Sequence, residues 1–147
     1  MGMGHVPQDP LRPEGAGSHV QGREHRGTPS NRSVDLSRLA RGRWGEDQAV
    51  RWYVAHGYVI ADRNWRAPGG ELDLVVTRDG LVAFVEVKTR ASDAYGDPAL
   101  AVTARKQLTL RRLAASWLAA HDVHGVEVRF DVVAVLGVRV RVIEAAF

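Results

Sequence analysis

The chain has 147 residues, eighteen Arg but only two Lys, 17 acidic residues, no cysteine and a formal net charge of +3. That length suits one domain with a proper core, and the lack of cysteine excludes disulfides, thiol nucleophiles and cysteine-ligated zinc. The apolar runs are strand-length and no charged-then-apolar leader opens the sequence, so a cytoplasmic protein without a membrane partner is expected.

Residues 1–35 balance four Arg against four acids, leaving the basic excess on the remainder, which is compatible with a nucleic-acid partner. This stretch is rich in Gly, Pro, His, Arg and Ser, lacks hydrophobic periodicity and reads as a disordered tail before one domain over 36–147. Its histidines, His5, His19 and His25, are too scattered for a metal site. Val6 stands where a myristoylation signal beginning Met1-Gly2 requires Ser or Thr.

From Ser37 to His56 the pattern is helical, with Leu39, Val50, Tyr53 and Val54 on one face and Gly57 as a stop. Glu46 falls on that same face, seven residues after Leu39 and seven before Tyr53. A carboxylate there is costly unless paired or bound to a cation, and Arg43 is the simplest partner. A first strand over Tyr58–Trp65 leads to a turn, Arg66-Ala67-Pro68-Gly69-Gly70. Arg63, Trp65 and Arg66 place two guanidiniums around a ring able to hold phosphate and stack on a base; Trp65 closing the core is the plainer alternative.

Next come two apolar strands, 70–78 and 81–90, joined by Asp79-Gly80, the signature of a two-residue hairpin turn. Facing positions then sum to 159, which sets Asp73 opposite Glu86 and Glu71 opposite Lys88 on one face, about 5 Å apart at the β-carbons. Paired carboxylates suit a hard divalent cation, Mg²⁺ or Mn²⁺. Held between Asp73 and Glu86, the ion could activate water beside a scissile phosphate, with Lys88 placing the water or stabilising the pentavalent state. Glu46 would add a third carboxylate if the first helix packs near. The plain alternative is a solvated hairpin face with a Glu71–Lys88 salt bridge.

After a loop over 91–101, Thr103 caps a helix running to about His121, with Leu110, Leu113, Ala114, Trp117 and Leu118 as its stripe and Arg105 and Arg112 solvated. Lys106, in its first turn, can lean toward the strand ends. His121 and His124 are a weak metal pair. Strands over 126–136 and 138–143 follow, the second carrying Arg139 and Arg141 as an edge strand does to resist edge pairing. Arg129 and Asp131 read as a structural ion pair. In a chain that uses Arg almost everywhere, Lys88 and Lys106 mark places where a compact, adjustable point charge is wanted. The order αβββαββ predicts a three-layer α/β arrangement around a mixed sheet.

Asp73, twelve intervening residues, then Glu86-Val87-Lys88 resembles the PD-(D/E)XK nuclease signature, with Leu72 in place of its Pro. Gly45-Glu46, Gly57-Tyr58, Arg63-Asn64-Trp65-Arg66, Gly70-Glu71-Leu72-Asp73-Leu74, Phe84 to Arg90, Lys106 and Arg129-Phe130-Asp131-Val132 look like the YraN family of bacterial proteins. The resemblance implies a restriction-endonuclease-like fold akin to archaeal Holliday junction resolvases, with Glu46, Asp73, Glu86 and Lys88 as catalytic residues and a homodimer as the resolvase-like assembly. Arg63, Trp65, Arg66, Arg90 and Lys106 are the expected nucleic-acid-binding residues. The leading expectation is a Mg²⁺- or Mn²⁺-dependent endonuclease acting on branched or single-stranded DNA; a non-catalytic nucleic-acid-binding module and a scaffold domain binding neither metal nor DNA are the alternatives.

Overall fold

The computed structural model describes residues 31–91, 94 and 96–147; the expected tail and its three histidines lie largely outside this range. Helix α1 spans Asn31–Ala55, followed by strands β1 (Val59–Ala67), β2 (Gly70–Arg78) and β3 (Leu81–Arg90), helix α2 (Ala104–Ala120), and strands β4 (Glu127–Leu136) and β5 (Arg139–Ile143). The order αβββαββ is as expected, although α1 starts six residues before Ser37 and so reaches into the segment assigned to the tail. The sheet runs β1-β2-β3-β4-β5, with β3 and β4 parallel and every other pair antiparallel. Among the described residues no helix is long and apolar enough to cross a membrane.

The two helices cover opposite faces of the sheet. Leu110, Leu113, Ala114 and Trp117 of α2 pack on Leu72, Val75, Val82, Phe84, Phe130 and Val132, while Ala49 and Tyr53 of α1 pack on Leu74, Val76, Ala83, Val85, Val133 and Val135. The Thr103 hydroxyl caps α2 by accepting from the Lys106 N–H, and Arg105 and Arg112 are exposed as expected. At the hairpin, Asp79 (φ 48°) and Gly80 (φ 77°) both take the left-handed conformation that a type I′ turn demands. Its register runs from Arg78↔Leu81 to Leu74↔Val85, each pair summing to 159.

The apolar stripe expected on α1 is corrected. Tyr53 is fully buried and Val50 packs partly buried on the core, as expected, but Leu39 and Val54 are 61% and 56% exposed, and Tyr53 continues a buried line from Gly45 and Ala49, four residues apart. The reason is proximity: α1 lies so close to the end of β3 that a Cβ on Gly45 would collide with the Thr89 hydroxyl. A residue without a side chain is required at position 45.

Tyr53 ties α1 to β4. Its hydroxyl donates to Asp131 Oδ2 at 2.7 Å, while Arg129 donates to both Asp131 oxygens at 2.8 Å and the Ala145 N–H to Oδ1 at 3.1 Å. Burial, and then the Asp131 charge, push the Tyr53 hydroxyl above its usual range, so it stays a donor. The Arg129–Asp131 pair is thus structural, as expected, and Arg129 also reaches the Tyr58 hydroxyl at 3.0 Å.

The close approach at Gly45 gives a stability prediction. Gly45→Ala is expected to cost about 1–3 kcal/mol through overpacking. In urea denaturation most of that loss should vanish when Thr89→Ala is combined with it, a coupling that two independent substitutions would not show.

Candidate active site

The site forms where the ladder between β2 and β3 stops. Regular pairing ends at Leu74↔Val85, and the next residue, Asp73, turns its carboxylate to accept the Val87 N–H at 2.9 Å. Side-chain alternation slips at the same place, since Leu72 packs on the α2 side and Leu74 on the α1 side although they are two residues apart. Asn64, which the β1–β2 register sets opposite Asp73, has φ 51°, a left-handed conformation that Asn tolerates better than most residues. The strands therefore separate around Asp73 and leave room for a side-chain site.

This overturns part of the expected register. Glu71 does not hold Lys88: it accepts from Arg66 Nε at 2.8 Å. Lys88 Nζ instead lies 3.1 Å from Glu86 Oε1, and Lys106 Nζ reaches the same oxygen at 3.5 Å. Both lysines of the chain thus converge on one carboxylate oxygen. Glu86 is only 5% exposed, and its other oxygen, Oε2, is buried without a hydrogen-bond partner.

Helix α1 supplies the third acid. Glu46 accepts from Asn64 Nδ2 at 3.0 Å, with Arg63 at 3.9 Å, so its neighbours lie on β1 and the pairing expected with Arg43 is not made. Glu46, Asp73 and Lys88 line one cleft of about 340 Å³, together with Arg38, Arg41 and Thr89. The Asp73 carboxyl is pushed up to about 7: burial is the largest cause, the neighbouring Glu86 the next, and Glu46 adds to it, while the Val87 N–H and Lys106 pull the other way.

The remaining sequence-predicted residues are spread more widely. Arg63 turns to α1, where it pairs with Asp47 at 2.7 Å. Trp65 packs, partly buried, against the α2-side core, and Arg66 is engaged with Glu71, so the three do not form one platform. Lys106 belongs to the carboxylate cluster. Arg90 closes β3 beyond Lys88, with its guanidinium 3.5 Å from the Gly96 carbonyl. His121 and His124 lean on Asp62 and Asp122 separately. Sequence reasoning assigned no role to Asn64, Arg38 or Arg41; an Asn inside a strand pattern was the one available signal, because it is a residue that can accept positive φ.

Asp73 and Glu86 offer hard oxygen donors, and the unpartnered Glu86 Oε2 gives a divalent cation an acceptor that no protein donor occupies. Among the described residues no three acids or histidines draw close enough to cage an ion by themselves. A cation here would keep water and substrate oxygens in its shell, which is the habit of Mg²⁺.

A family model described as Uncharacterised protein family UPF0102 matches residues 45–135. The chain belongs to this family. UPF0102 is the YraN family, in agreement with the resemblance read from the sequence. Similar proteins include a UPF0102 protein of Beutenbergia cavernae, 57% identical over 98 residues that cover 67% of this chain and 83% of that one. A UPF0102 protein of Myxococcus xanthus is 43% identical over 106 residues (72% of this chain, 84% of that one), and one of Frankia casuarinae 53% identical over 96 residues (65% and 81%). The YraN match encloses Glu46, Asp73, Glu86, Lys88 and Lys106 and stops before β5.

The raised Asp73 pKa predicts a pH dependence of folding. Because the folded value of about 7 lies above the unfolded 3.8, the folded chain retains a proton that the unfolded chain has lost between those values. Asp73's contribution is therefore full below the unfolded value and is lost as pH rises through the folded one. Denaturant melts over a pH series should show Asp73→Asn gaining on the parent chain from about pH 4 to about pH 7 and holding a constant advantage above that.

Proposed function

We propose that this YraN protein is a Mg²⁺- or Mn²⁺-dependent endonuclease that hydrolyses phosphodiester bonds in branched or single-stranded DNA. The observation that carries the reading is the open half of Glu86: a buried carboxylate oxygen without a donor, beside Asp73 and under two ammonium groups. Asp73 and Glu86 would hold the ion, which when bound supplies Lewis acidity at a phosphoryl oxygen and a more acidic water. The Asp73 carboxyl, poised near neutrality, is deprotonated at little cost when a cation arrives. Lys88 can turn from Glu86 toward the phosphate and meet the charge that grows on its oxygens as water adds and the bond to the leaving sugar oxygen breaks. Glu46, held by Asn64 on the cleft wall, orients that water. Cutting a branched substrate symmetrically would need a homodimer, which light scattering tests.

Labelled single-stranded, flap and four-way-junction DNA incubated with the full chain in Mn²⁺ should be cut, and EDTA should abolish cutting. Asp73→Ala and Lys88→Ala are each expected to slow it about 10²-fold or more. Metal-dependent cutting undiminished in both variants would refute the assignment.

One observation favours the binding-module reading: Lys88 and Lys106 already offset the Glu86 charge without a metal. On that reading titration calorimetry with Mn²⁺ shows no binding, no DNA is cut with any metal, and Glu86→Ala binds DNA as tightly as the parent chain.

A further inference from the structure

Glu86, Lys88 and Arg90 alternate with residues facing α1, so all three leave the sheet on its α2 face. The parallel register carries that face onward: Lys88 pairs with Ala134 and Ala134 with Arg141, while Arg90 pairs with Leu136 and Leu136 with Arg139. Arg141 thus stands two strands from Lys88, about 10 Å at the backbone. Between them lies only the methyl group of Ala134, which leaves a trough.

The trough is a cleft of about 680 Å³, and its walls include Arg90, Asp97, Pro98, Ala134, Arg139 and Arg141. Its charge is strongly one-sided, three guanidiniums against one carboxylate. Arg139 makes no hydrogen bond or ion pair among the described residues, and Arg141 has only a 4.0 Å approach to Asp97. Edge protection explains charge somewhere on β5. It does not explain two arginines set over a cleft on the sheet face that carries Lys88, one strand beyond it. Guanidiniums present planar forks that match phosphate oxygens, and the apolar floor of Ala134, Leu136 and Pro98 suits the faces of sugars and bases.

We propose that the cleft between β3, β5 and the turn at Pro98 holds backbone phosphates of the DNA strand being cut, to one side of the bond broken at Asp73 and Glu86. This rests on the nuclease reading above and adds where the strand runs. It also assigns binding to a strand that lies beyond the family match at residues 45–135.

The test is fluorescence anisotropy of a labelled single-stranded oligonucleotide with the full chain in EDTA, over a salt series. Arg139→Ala combined with Arg141→Ala should weaken binding at least about tenfold and flatten the slope of log K against log salt by about 1.4, which is about 0.7 for each phosphate that an arginine no longer neutralises. Arg139→Lys with Arg141→Lys should restore most of the affinity, because lysine still meets phosphate as a point charge. Arg105→Ala with Arg112→Ala, which removes equal charge from the solvent face of α2, should keep the parent slope. An unchanged slope in the β5 alanine pair, or an equal loss in the α2 pair, overturns the cleft assignment while leaving the nuclease reading intact. A parent chain that binds no DNA overturns both, and one that binds through β5 but never cuts with Mn²⁺ overturns the nuclease reading alone.

Discussion

A carboxylate with no exposed surface, Asp131, holds the architecture together. Isolated in a core it would cost several kcal/mol, and one partner would not repay that; here it accepts four hydrogen bonds, from Tyr53, twice from Arg129, and from the Ala145 N–H. Those donors belong to α1, β4 and the segment after β5. Through them the carboxylate sets where α1 lies on the sheet. Glu46 is two helical turns before Tyr53 on the same face, about 10 Å along the axis, so a clamp remote from the cleft delivers a third acid beside Asp73.

Glu86 is the other buried acid among the described residues, and the two are held differently. Asp131 has both oxygens saturated by fixed donors. Glu86 has one oxygen shared by two ammoniums and the other unpartnered. A saturated pair is a structural device, whereas an unfilled acceptor in a low-dielectric site retains capacity for a ligand. The same crowding explains Asp73: with Glu86 and Glu46 near it in a buried place, its charged form is disfavoured.

Much of this was legible in the sequence, for identifiable reasons. Asp79-Gly80 permits one tight turn, so the register from Arg78 to Leu74 followed from two residues. The Arg129–Asp131 pair, the Thr103 cap and the α2 stripe follow from spacing alone. The Glu71–Lys88 pairing failed because counting assumes an unbroken ladder, and the ladder breaks where Asp73 bonds to the Val87 N–H and Asn64 takes positive φ. The α1 stripe was right at Tyr53 but missed Gly45, because hydrophobicity ranks Leu39 above Gly45, whereas the distance between α1 and Thr89 selects for the absence of a side chain. Backbone approach is a tertiary property that periodicity does not encode, although a glycine kept in the middle of a helix is its trace.

The scarcity of lysine acquires a physical meaning at Glu86. Arg129 shows what a guanidinium does beside a buried carboxylate: its planar fork takes both oxygens of Asp131 and locks them. An arginine at position 88 or 106 would tend to close Glu86 in the same manner and consume the oxygen that is now unpartnered. An ammonium on a flexible stem satisfies one oxygen without closing the other. In a chain that otherwise chooses arginine eighteen times, both lysines stand at this carboxylate. The composition therefore carries the same distinction as the geometry: arginine where both oxygens of a buried carboxylate are held, as at Asp131, and lysine where one oxygen is left open, as at Glu86.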